Sequence, residues 1–350
     1  MNSYELIKNA INLKKVDRIS VIYVLLGESD VAQFLLKNPK NWKPKKVKTP
    51  FDLEKDITFG RKTGILKEDE WGCIWKVSKN VYGIGEVIEN PLKDLDLIEV
   101  YKFPDPYSPG RLDSLEDFIN DNKNKYIAVT YINCLFERLH FLHGFNDTLI
   151  DLKINLDKVE HLLDKIVDFQ VGLIRNVGYK FNGKVHAYWT TDDWGTQTNL
   201  FISPYLWRKV FKPRYKKIID EVHKYDMDFW LHSDGNLTDI IDDFIEIGVN
   251  VFDFPQPSSI YGIKKFGKKF AGKVCFLVYS DIQTTGVKGT KEEIIREAEE
   301  IVNYWSTDDG SGIIATDYAD IESIGASLET KMISLQAFKD AFYKKVGKNK

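Results

Sequence analysis

The segment WLHSDGN, residues 230–236, ends an apolar run with a histidine, an aspartate and a glycine within four positions. The residues before His232 are large and apolar, which is typical of a buried β-strand. A strand that continued would need another apolar residue, and an ordinary turn would not need a histidine. The segment therefore indicates that His232 gains a specific interaction at the end of a strand.

Short β-rich runs alternate with longer amphipathic runs from about residue 125 onward, which predicts βα units on a parallel sheet. Helix starts are marked by Ser203-Pro204, a cap residue with a first-turn proline, and by a capping box of Thr290 and Glu293. The predicted strands are residues 19–27, 125–133, 184–191, 227–233, 249–254, 273–280 and 311–318.

Seven predicted strands are one short of the eight in a closed (β/α)8 TIM barrel, and we expect the eighth within residues 50–100. An open doubly wound sheet is the alternative fold. The barrel is favoured because the strands recur at similar spacing and no glycine-rich phosphate loop follows the first strand. Residues 1–346 are then one barrel domain, with residues 40–115 an N-terminal β-hairpin and loop elaboration near the barrel mouth and residues 347–350 a frayed tail.

The composition is that of a soluble globular protein, with 43% hydrophobic and 29% charged residues. The net charge is −3, and positive and negative residues are interspersed along the chain, so the sequence shows no basic patch that would bind nucleic acid or an anionic membrane. No stretch approaches the roughly 18 apolar residues of a membrane span. Residues 1–15 predict an amphipathic helix rather than a signal peptide, so we expect a cytoplasmic protein. Cys73, Cys134 and Cys275 lack C-x-x-C spacing, which predicts buried reduced thiols.

Acids, amides and one histidine follow the predicted strands at the ends where barrel active sites lie. Because these strand ends meet on one rim, the side chains should converge there. His232 is the hardest to explain otherwise, since an imidazole in a buried strand needs a hydrogen-bond partner or a metal. The other candidates are Asn133, Glu137, Asp192, Asp193, Trp194, Gln197, Ser233, Asp234, Asn236, Asp253, Gln256, Ser280, Asp281, Gln283, Asp317 and Tyr318.

Each main candidate also has a purely structural interpretation. These alternatives are a turn at residues 234–236, loop-amide hydrogen bonds for Asp192 and Asp193, a cap at Asp281, and a satisfied core position for His232. His140 and His143 stand three residues apart on a predicted helix, which favours a solvated helix face over a metal site.

Residues 192–257, from DDWGTQ to DFPQP, resemble the uroporphyrinogen decarboxylase superfamily, specifically its methyltransferase-like branch, which includes corrinoid-dependent methyltransferases. Further matching segments occur in order along the chain. They are VDRISV, DEWGCIW, LFERLHFLHGFNDTLIDL, FLVYSDIQTTGVKGTKEEI and GSGIIATD. Such an ordered series is more specific than any single motif. The resemblance implies a (β/α) barrel, in agreement with the strand spacing.

Two features separate this chain from the true decarboxylases of that superfamily. Those enzymes hold the porphyrinogen carboxylates partly with an arginine-rich motif ending R-Q-A-G-R, and the corresponding stretch here, IYVLLGESDVAQF, has no arginine. The family histidine near the last strand is also absent from IIATDYADIES. Methyl transfer is therefore favoured. The alternatives are a decarboxylase acting on a uroporphyrinogen-like or small carboxylate substrate, and a non-catalytic binding barrel.

The methyltransferases of this branch that use coenzyme M carry H-x-C and a distant cysteine, which bind zinc. This chain keeps His232 but has Asp234 at the cysteine position, and no cysteine follows Cys275. A His-x-Asp pair can hold zinc through nitrogen and oxygen, with Glu137 as a further ligand, or can work without metal as an acid/base pair.

The resemblance implies that a methyl group moves between a small methoxy- or methylamine-type substrate, or a thiol, and a corrinoid. The chain lacks the D-x-H-x-x-G sequence of a corrinoid-binding module, so a separate corrinoid protein would be the partner. Members of the superfamily are often dimeric, but no patch in this sequence decides whether it forms a homodimer. The predicted catalytic residues are His232, Asp234, Asp192 and Asp193, and the predicted substrate-binding residues are Gln197, Trp194, Gln256, Asp281, Asp317 and Tyr318.

Overall fold

The computed structural model describes residues 1–44, 65–77, 85–318 and 320–347. The strands are β1 Ser20–Tyr23, β2 Glu28–Ser29, β3 Val31–Leu35, β4 Ile65–Glu68, β5 Ile74–Val77, β6 Glu86–Glu89, β7 Tyr126–Thr130, β8 Ala187–Thr191, β9 Asp228–His232, β10 Val251–Asp253, β11 Cys275–Val278 and β12 Ile313–Thr316. The helices are α1 Ser3–Ile11, α2 Leu115–Asp121, α3 Phe136–His143, α4 Phe145–Ile154, α5 Leu156–Phe181, α6 Pro204–Val210, α7 Lys212–His223, α8 Ile241–Glu246, α9 Ile263–Phe270, α10 Thr285–Lys288, α11 Lys291–Trp305, α12 Ile321–Ile324 and α13 Leu328–Lys345. The chain divides into two compact units.

The first unit, residues 1–35, 114–132 and 178–350, is a (β/α)8 TIM barrel. Its eight parallel strands are neighbours in the order β1-β12-β11-β10-β9-β8-β7-β3, and β2 pairs antiparallel beside β1. Where β1 approaches β3, the backbone N–H of Asp30 donates to Val21 O at 2.8 Å and Asp30 Oδ2 accepts from Val21 N at 3.0 Å. The predicted fold class is confirmed.

The second strand of the barrel is β3, in place of the strand expected within residues 50–100. The link from β1 consists of one 3-10 turn, Val24–Leu26, a left-handed Gly27 with φ +74°, and the short β2. Because no helix separates β1 from β3, the alternation of strand and helix that reveals the other strands is missing here. The prediction for residues 50–100 was therefore wrong.

An ion pair supplied by α1 lies at the amino-terminal end of the barrel strands. Lys8 Nζ donates to both carboxylate oxygens of Asp228, at 2.9 and 2.8 Å, and Tyr126 Oη donates to Asp228 Oδ2 at 2.5 Å. Asp228 is the first residue of β9 and His232 is the last. The ion pair therefore lies at the end of the barrel opposite His232.

Side chains of β9 alternate between the two faces of the barrel wall, as in any β-strand. Phe229 stacks on Tyr188 on the outer face, with ring centroids 6.5 Å apart. Trp230 lies on the inner face, where its ring centroid is 5.2 Å from that of Trp189. His232, two residues further on, shares the inner face with Trp230. The sequence thus places an imidazole at the carboxyl end of the barrel, above a layer of tryptophans.

The second unit comprises residues 36–113 and 133–177. It contains the antiparallel sheet β4-β5-β6 and the helices α3 and α4. Asp69 Oδ1 accepts from the Trp71 backbone N–H at 2.9 Å, and Asp69 Oδ2 accepts from Trp75 Nε1 at 3.0 Å. This carboxylate therefore fixes the turn between β4 and β5. The unit includes the predicted hairpin strands together with a segment, 133–177, that the sequence pattern assigned to the barrel.

His143 is buried, with Nε2 3.0 Å from Asp151 Oδ2. His140 packs against the rings of Phe136 and Phe145, with centroids 5.2 and 5.3 Å away. The expectation that these two histidines mark a solvated helix face was therefore wrong.

The three cysteines are buried thiols, as predicted. Among the residues that the structure describes, no helix is both long and apolar enough to cross a membrane. Residues 45–64 and 78–84, part of the predicted 40–115 elaboration, and residues 348–350 of the predicted tail lie outside the described residues.

Candidate active site

His232 and Asp253 are the last residues of the neighbouring strands β9 and β10, and they are paired in register. Because the strands are parallel, both side chains lie on the inner face at the carboxyl end. His232 Nδ1 is 3.1 Å from Asp253 Oδ2. Tyr279 Oη donates to the other oxygen, Asp253 Oδ1, at 2.6 Å. The buried carboxylate therefore holds a proton on Nδ1 and leaves Nε2 directed elsewhere.

Two further carboxylates lie on the Nε2 side of His232. Asp234 Oδ1 is 3.8 Å from His232 Nε2, and the Asp234 backbone N–H donates to Asp193 Oδ1 at 2.8 Å. Gln256 Nε2 donates to Asp234 Oδ1 at 2.9 Å. His232, Asp234 and Asp193 can each offer one ligand atom such that these atoms lie within 4.8 Å of one another. We call these three residues the His232 cluster.

Electrostatic interactions and burial in the His232 cluster favour the protonated forms of His232 and Asp234. Burial lowers the pKa of His232, but the carboxylates of Asp253, Asp234 and Asp193 outweigh it and raise the pKa to about 10. Burial also raises the pKa of Asp234 to about 6, against the lowering effect of His232, and the negative charge of Asp193 adds to the rise. At neutral pH the metal-free cluster therefore holds an imidazolium beside an aspartate that titrates close to that pH.

Two glycines bring the loops after β8 and β9 into backbone contact. Gly235 has φ +84°, and a Cβ placed there would lie 2.1 Å from Gly195 O. A Cβ on Gly195 would in turn lie 2.7 Å from the Asn236 backbone nitrogen. Both positions therefore exclude any side chain. This contact explains the glycine in WLHSDGN, since it brings Asp193 and Asp234 side by side.

Asp192 and Trp194 are not part of the His232 cluster. Both side chains are fully buried, Tyr215 Oη donates to Asp192 Oδ2, and Trp194 Nε1 donates to Tyr215 Oη at 2.9 Å. Trp194 also packs on Phe211, with ring centroids 4.6 Å apart. Both side chains therefore anchor the loop that carries Asp193. The catalytic role expected of Asp192 and the substrate-binding role expected of Trp194 stay predictions.

Two other predicted substrate-binding residues take part in loop contacts. Asp281 is buried, and its Oδ2 accepts from the backbone N–H groups of Ser258 and Ser259 at 3.0 and 2.8 Å. This is the capping interpretation of Asp281. Gln197 is exposed and donates to Gln283 Oε1 at 3.0 Å. Both interactions tie the rim loops together.

Asp317 and Tyr318 follow β12 directly. Burial raises the pKa of Asp317 to about 6, although Lys331 opposes this shift. Burial also raises the pKa of Tyr318 to about 12, with the negative charge of Asp234 as the next contribution. Tyr318 therefore lies in the electrostatic field of the His232 cluster. Gln256 is buried too, and its Oε1 has no hydrogen-bond partner among the described residues.

A family model described as uroporphyrinogen decarboxylase (URO-D) matches residues 79–316. The chain belongs to the uroporphyrinogen decarboxylase family. The resemblance seen in the sequence motifs is thereby confirmed. No curated protein sequence matches this family member.

Solved structures with a similar fold include a methyltransferase from Methanosarcina mazei, with 15% identity and a TM-score of 0.67 over 98% of this chain and 99% of that one. Lower similarity is found to endo-glycoceramidase II from Rhodococcus sp., with 12% identity, a TM-score of 0.38 and coverage of 65% and 67% of the two chains. Xylanase 10B from Thermotoga maritima has 10% identity, a TM-score of 0.34 and coverage of 67% and 92%. The first similarity shows a shared fold, and the latter two are too distant to carry an argument.

The third ligand expected in this uroporphyrinogen decarboxylase family member was Glu137. It is a buried residue of α3 in the second unit, and the cluster of described ligand atoms contains Asp193 in addition to His232 and Asp234. A ligand role for Glu137 stays a prediction.

Tyr279 and Lys331 were not among the residues predicted from the sequence. Asp253 was predicted to lie on the rim, because it ends a predicted strand next to that of His232, but it was given no specific role. Tyr279 also follows a strand, at an inward position of the two-residue repeat. Lys331 lies on α13, beyond the last strand, where a lysine on a helix is ordinarily exposed. No sequence signal pointed to it.

Proposed function

We propose that this protein is a methyltransferase that moves a methyl group between a small methylated substrate, of methoxy or methylamine type, or a thiol, and a corrinoid carried on a separate protein. The observation that carries the proposal is the arrangement of His232, with Nδ1 held by Asp253 and Nε2 directed toward Asp234. The family membership and the near full-length fold similarity to the Methanosarcina mazei methyltransferase support it.

The chemistry required of the protein is protonation of the leaving atom. When a methyl group leaves oxygen or nitrogen, the electron pair of the broken bond stays on that atom, which must then take up a proton. His232 carries a proton on Nε2 that it can give, and Asp253 stabilises the charge of the imidazolium before transfer. The acceptor supplies the electron pair of the new bond to the methyl carbon, so no external oxidant or reductant is needed.

Asp234 and Gln256 would orient the substrate beside Nε2. The 3.8 Å gap between His232 Nε2 and Asp234 Oδ1 is too long for a hydrogen bond, so the two atoms do not hydrogen-bond to each other. The unpartnered Gln256 Oε1 offers an acceptor to a substrate O–H or N–H group. These groups hold the leaving atom close to the proton that it needs.

The His232 cluster also fits a divalent metal such as zinc. It offers one imidazole nitrogen and two carboxylate oxygens within 4.8 Å of one another, and Asp253 binds the far nitrogen of the imidazole as a supporting carboxylate does in metal sites. His232, Asp234 and Asp193 would hold the ion. When bound, zinc would supply a Lewis acid for the leaving atom or an incoming thiol. Because binding requires neutral imidazole, protons and metal would compete.

The second candidate function is decarboxylation, which the family name favours. The charges at the rim disfavour it, because a carboxylate substrate needs a cationic pocket. The acids described at this rim include Asp193, Asp234, Asp253 and Asp317, and the bases include His232 and Lys331. The acids outnumber the bases, so a carboxylate would be repelled. A binding barrel without chemistry is a third option.

The test is a methyl-transfer assay with cob(I)alamin as the free acceptor and a panel of methoxy, methylamine and methylthio compounds. We expect loss of the Co(I) absorbance with at least one class of donor. His232→Ala should slow transfer by about 100-fold or more while the circular dichroism spectrum stays unchanged. Release of CO2 from carboxylated substrates, with no methyl transfer from any donor, would establish the decarboxylase instead.

A further inference from the structure

We propose that Lys331 and Asp317 form a second binding subsite, which holds the non-reacting end of the substrate. Lys331 Nζ lies 4.0 Å from Asp317 Oδ2, and the two side chains are only 7% and 5% exposed. They lie on α13 and directly after β12, respectively. Neither residue belongs to the His232 cluster.

One carboxylate oxygen of the pair lacks the hydrogen bonds that a buried charge requires. Asp317 Oδ2 is buried with no hydrogen-bond partner, and Lys331 Nζ donates to no acceptor in the described part of the chain. A separation of 4.0 Å is beyond hydrogen-bond range. Charges that are removed from water without such partners are costly to a folded protein. The arrangement therefore points to a polar group that enters between or beside them.

Lys331 is fixed in place by its helix. Ser334, three residues further along α13, is hydrogen-bonded to Tyr23 Oη at 3.0 Å and to Ser280 Oγ at 2.8 Å. All three of these hydroxyls belong to buried residues. They connect α13 to the ends of β1 and β11, so the backbone that carries Lys331 is held against the barrel. A charge held in this way is pre-organised for a ligand.

The chemistry of the pair defines the class of ligand. An ammonium donates and a carboxylate accepts, so the matching group has an oxygen acceptor next to an N–H donor. One such group is a primary carboxamide. The other is the zwitterionic end of an amino acid, with its ammonium and its carboxylate. Both are neutral overall, as is the Lys331–Asp317 pair. A ligand with a single charge would satisfy only one partner and repel the other.

This inference rests on the proposed function only in assigning the bound group to the end of the substrate remote from the methyl group. Binding can be measured without turnover. The two proposals can therefore fail separately: loss of methyl transfer in His232→Ala should leave binding at Lys331 unchanged.

The experiment is a titration of the full-length protein by NMR or calorimetry with four probes. Glycine and acetamide represent the two dipolar classes, and acetate and methylammonium carry one charge each. We expect glycine, acetamide or both to bind, with a dissociation constant at least tenfold lower than that of either singly charged probe. Which of them binds identifies the class. No binding of either dipolar probe would overturn the proposal.

Three variants locate the binding. Lys331→Met and Asp317→Asn should each weaken binding of the dipolar probe at least tenfold. Lys339→Met is the control. Lys339 lies on the same helix as Lys331 and pairs with Glu28 of β2 at the surface, so its replacement should leave the affinity for the dipolar probe unchanged. Unchanged affinity in a folded Asp317→Asn protein would overturn the proposal even if Lys331→Met fails to fold.

Discussion

Asp253 Oδ2 lies 3.1 Å from His232 Nδ1, and the two residues are paired in register on adjacent parallel strands. The pairing comes from the sheet itself, because residues that face each other in register project to the same side. Tyr279 holds the second carboxylate oxygen at 2.6 Å. The orientation of the imidazole is therefore built into the barrel wall rather than into a loop.

Replacing Asp253 by asparagine should reduce the rate of methyl transfer by about 10- to 100-fold, because supporting carboxylates of histidines have effects of that size. The substitution keeps the shape of the side chain but removes the charge that stabilises the imidazolium. Steady-state rates and circular dichroism would be measured together. Tyr279→Phe, which removes only one neutral hydrogen bond, should cost a few-fold at most. Equal losses in the two variants would contradict the charge argument.

Metal analysis of the purified protein decides between the two chemistries of the His232 cluster. If zinc is present near one ion per chain, His232→Ala and Asp234→Ala should both lose it, since each removes one of three ligands. Asp242→Asn is the control, because Asp242 is an exposed carboxylate that pairs with Lys269 and Lys273, and its variant should retain the ion. Folded proteins without metal in all four forms would leave His232 and Asp234 as an acid/base pair.

Gly235→Ala should lower the free energy of unfolding by roughly 3 kcal/mol or more, because the new Cβ meets a backbone oxygen in addition to the strain of a left-handed residue. The control is Gly183→Ala. Gly183 has φ +71° but no atom within 4 Å of the added Cβ, so only the conformational cost of about 1–2 kcal/mol applies. Denaturant unfolding of the two variants separates the clash from the strain. Equal destabilisation would show that the loop relaxes freely.

The stability of the protein should decrease as the pH falls from 6.5 to about 4, partly through His186. Burial lowers the pKa of His186 from 6.5 to about 4, against the opposing effect of Asp228. Its Nδ1 accepts the Ile127 backbone N–H at 2.8 Å, which requires the neutral imidazole. The unfolded chain takes up the proton first. The contribution is therefore complete above pH 6.5 and lost as the pH approaches 4.

The His186→Asn variant tests this assignment, because the amide oxygen can accept the same hydrogen bond without titrating. Its free energy of unfolding should depend less on pH, by at most about 3 kcal/mol across that interval. His140, whose pKa burial also lowers to about 4, is retained in both proteins and cancels from the comparison. Parallel pH profiles for the two proteins would rule out His186 as the source.

Lys8→Met should destabilise the barrel by about 3 kcal/mol, because it leaves the buried Asp228 carboxylate without its counterion. Adding Asp228→Asn should recover most of the loss, since the uncompensated charge is then gone. Equilibrium unfolding of the single and double variants gives both values. A double variant no more stable than Lys8→Met would indicate that packing of the lysine chain, not charge, is lost.

Much of the fold could be predicted from the sequence because most barrel strands are separated by helices. Strands β7 to β12 all lie within predicted runs, for example β9 within residues 227–233. The exception, β3, follows β1 without a helix, so no change of periodicity marks it. The 133–177 segment also looked like a barrel element, since its helices carry the same spacing as those that cover the sheet.

The site was predictable to the extent that it depends on strand ends. His232, Asp234 and Asp193 do lie together, as the rim rule implies. Asp193 lies in the cluster and Asp192 does not, because the side chains of adjacent residues point in different directions. The partner of Asp192 is Tyr215 on α7, which no strand pattern reveals. The position of the Lys331 side chain depends on how α13 packs against the barrel, which local sequence patterns do not reveal.

The contact between Gly195 and Gly235 has a consequence for how this site can change during evolution. It fixes the backbone around position 234 through main-chain atoms, and the Asp234 N–H that binds Asp193 is one that every residue except proline possesses. The side chain at position 234 can therefore be exchanged for another metal-binding or acidic group, such as a thiol, without moving the backbone that carries it. Chemistry and placement are specified by different residues, so one can vary while the other is inherited.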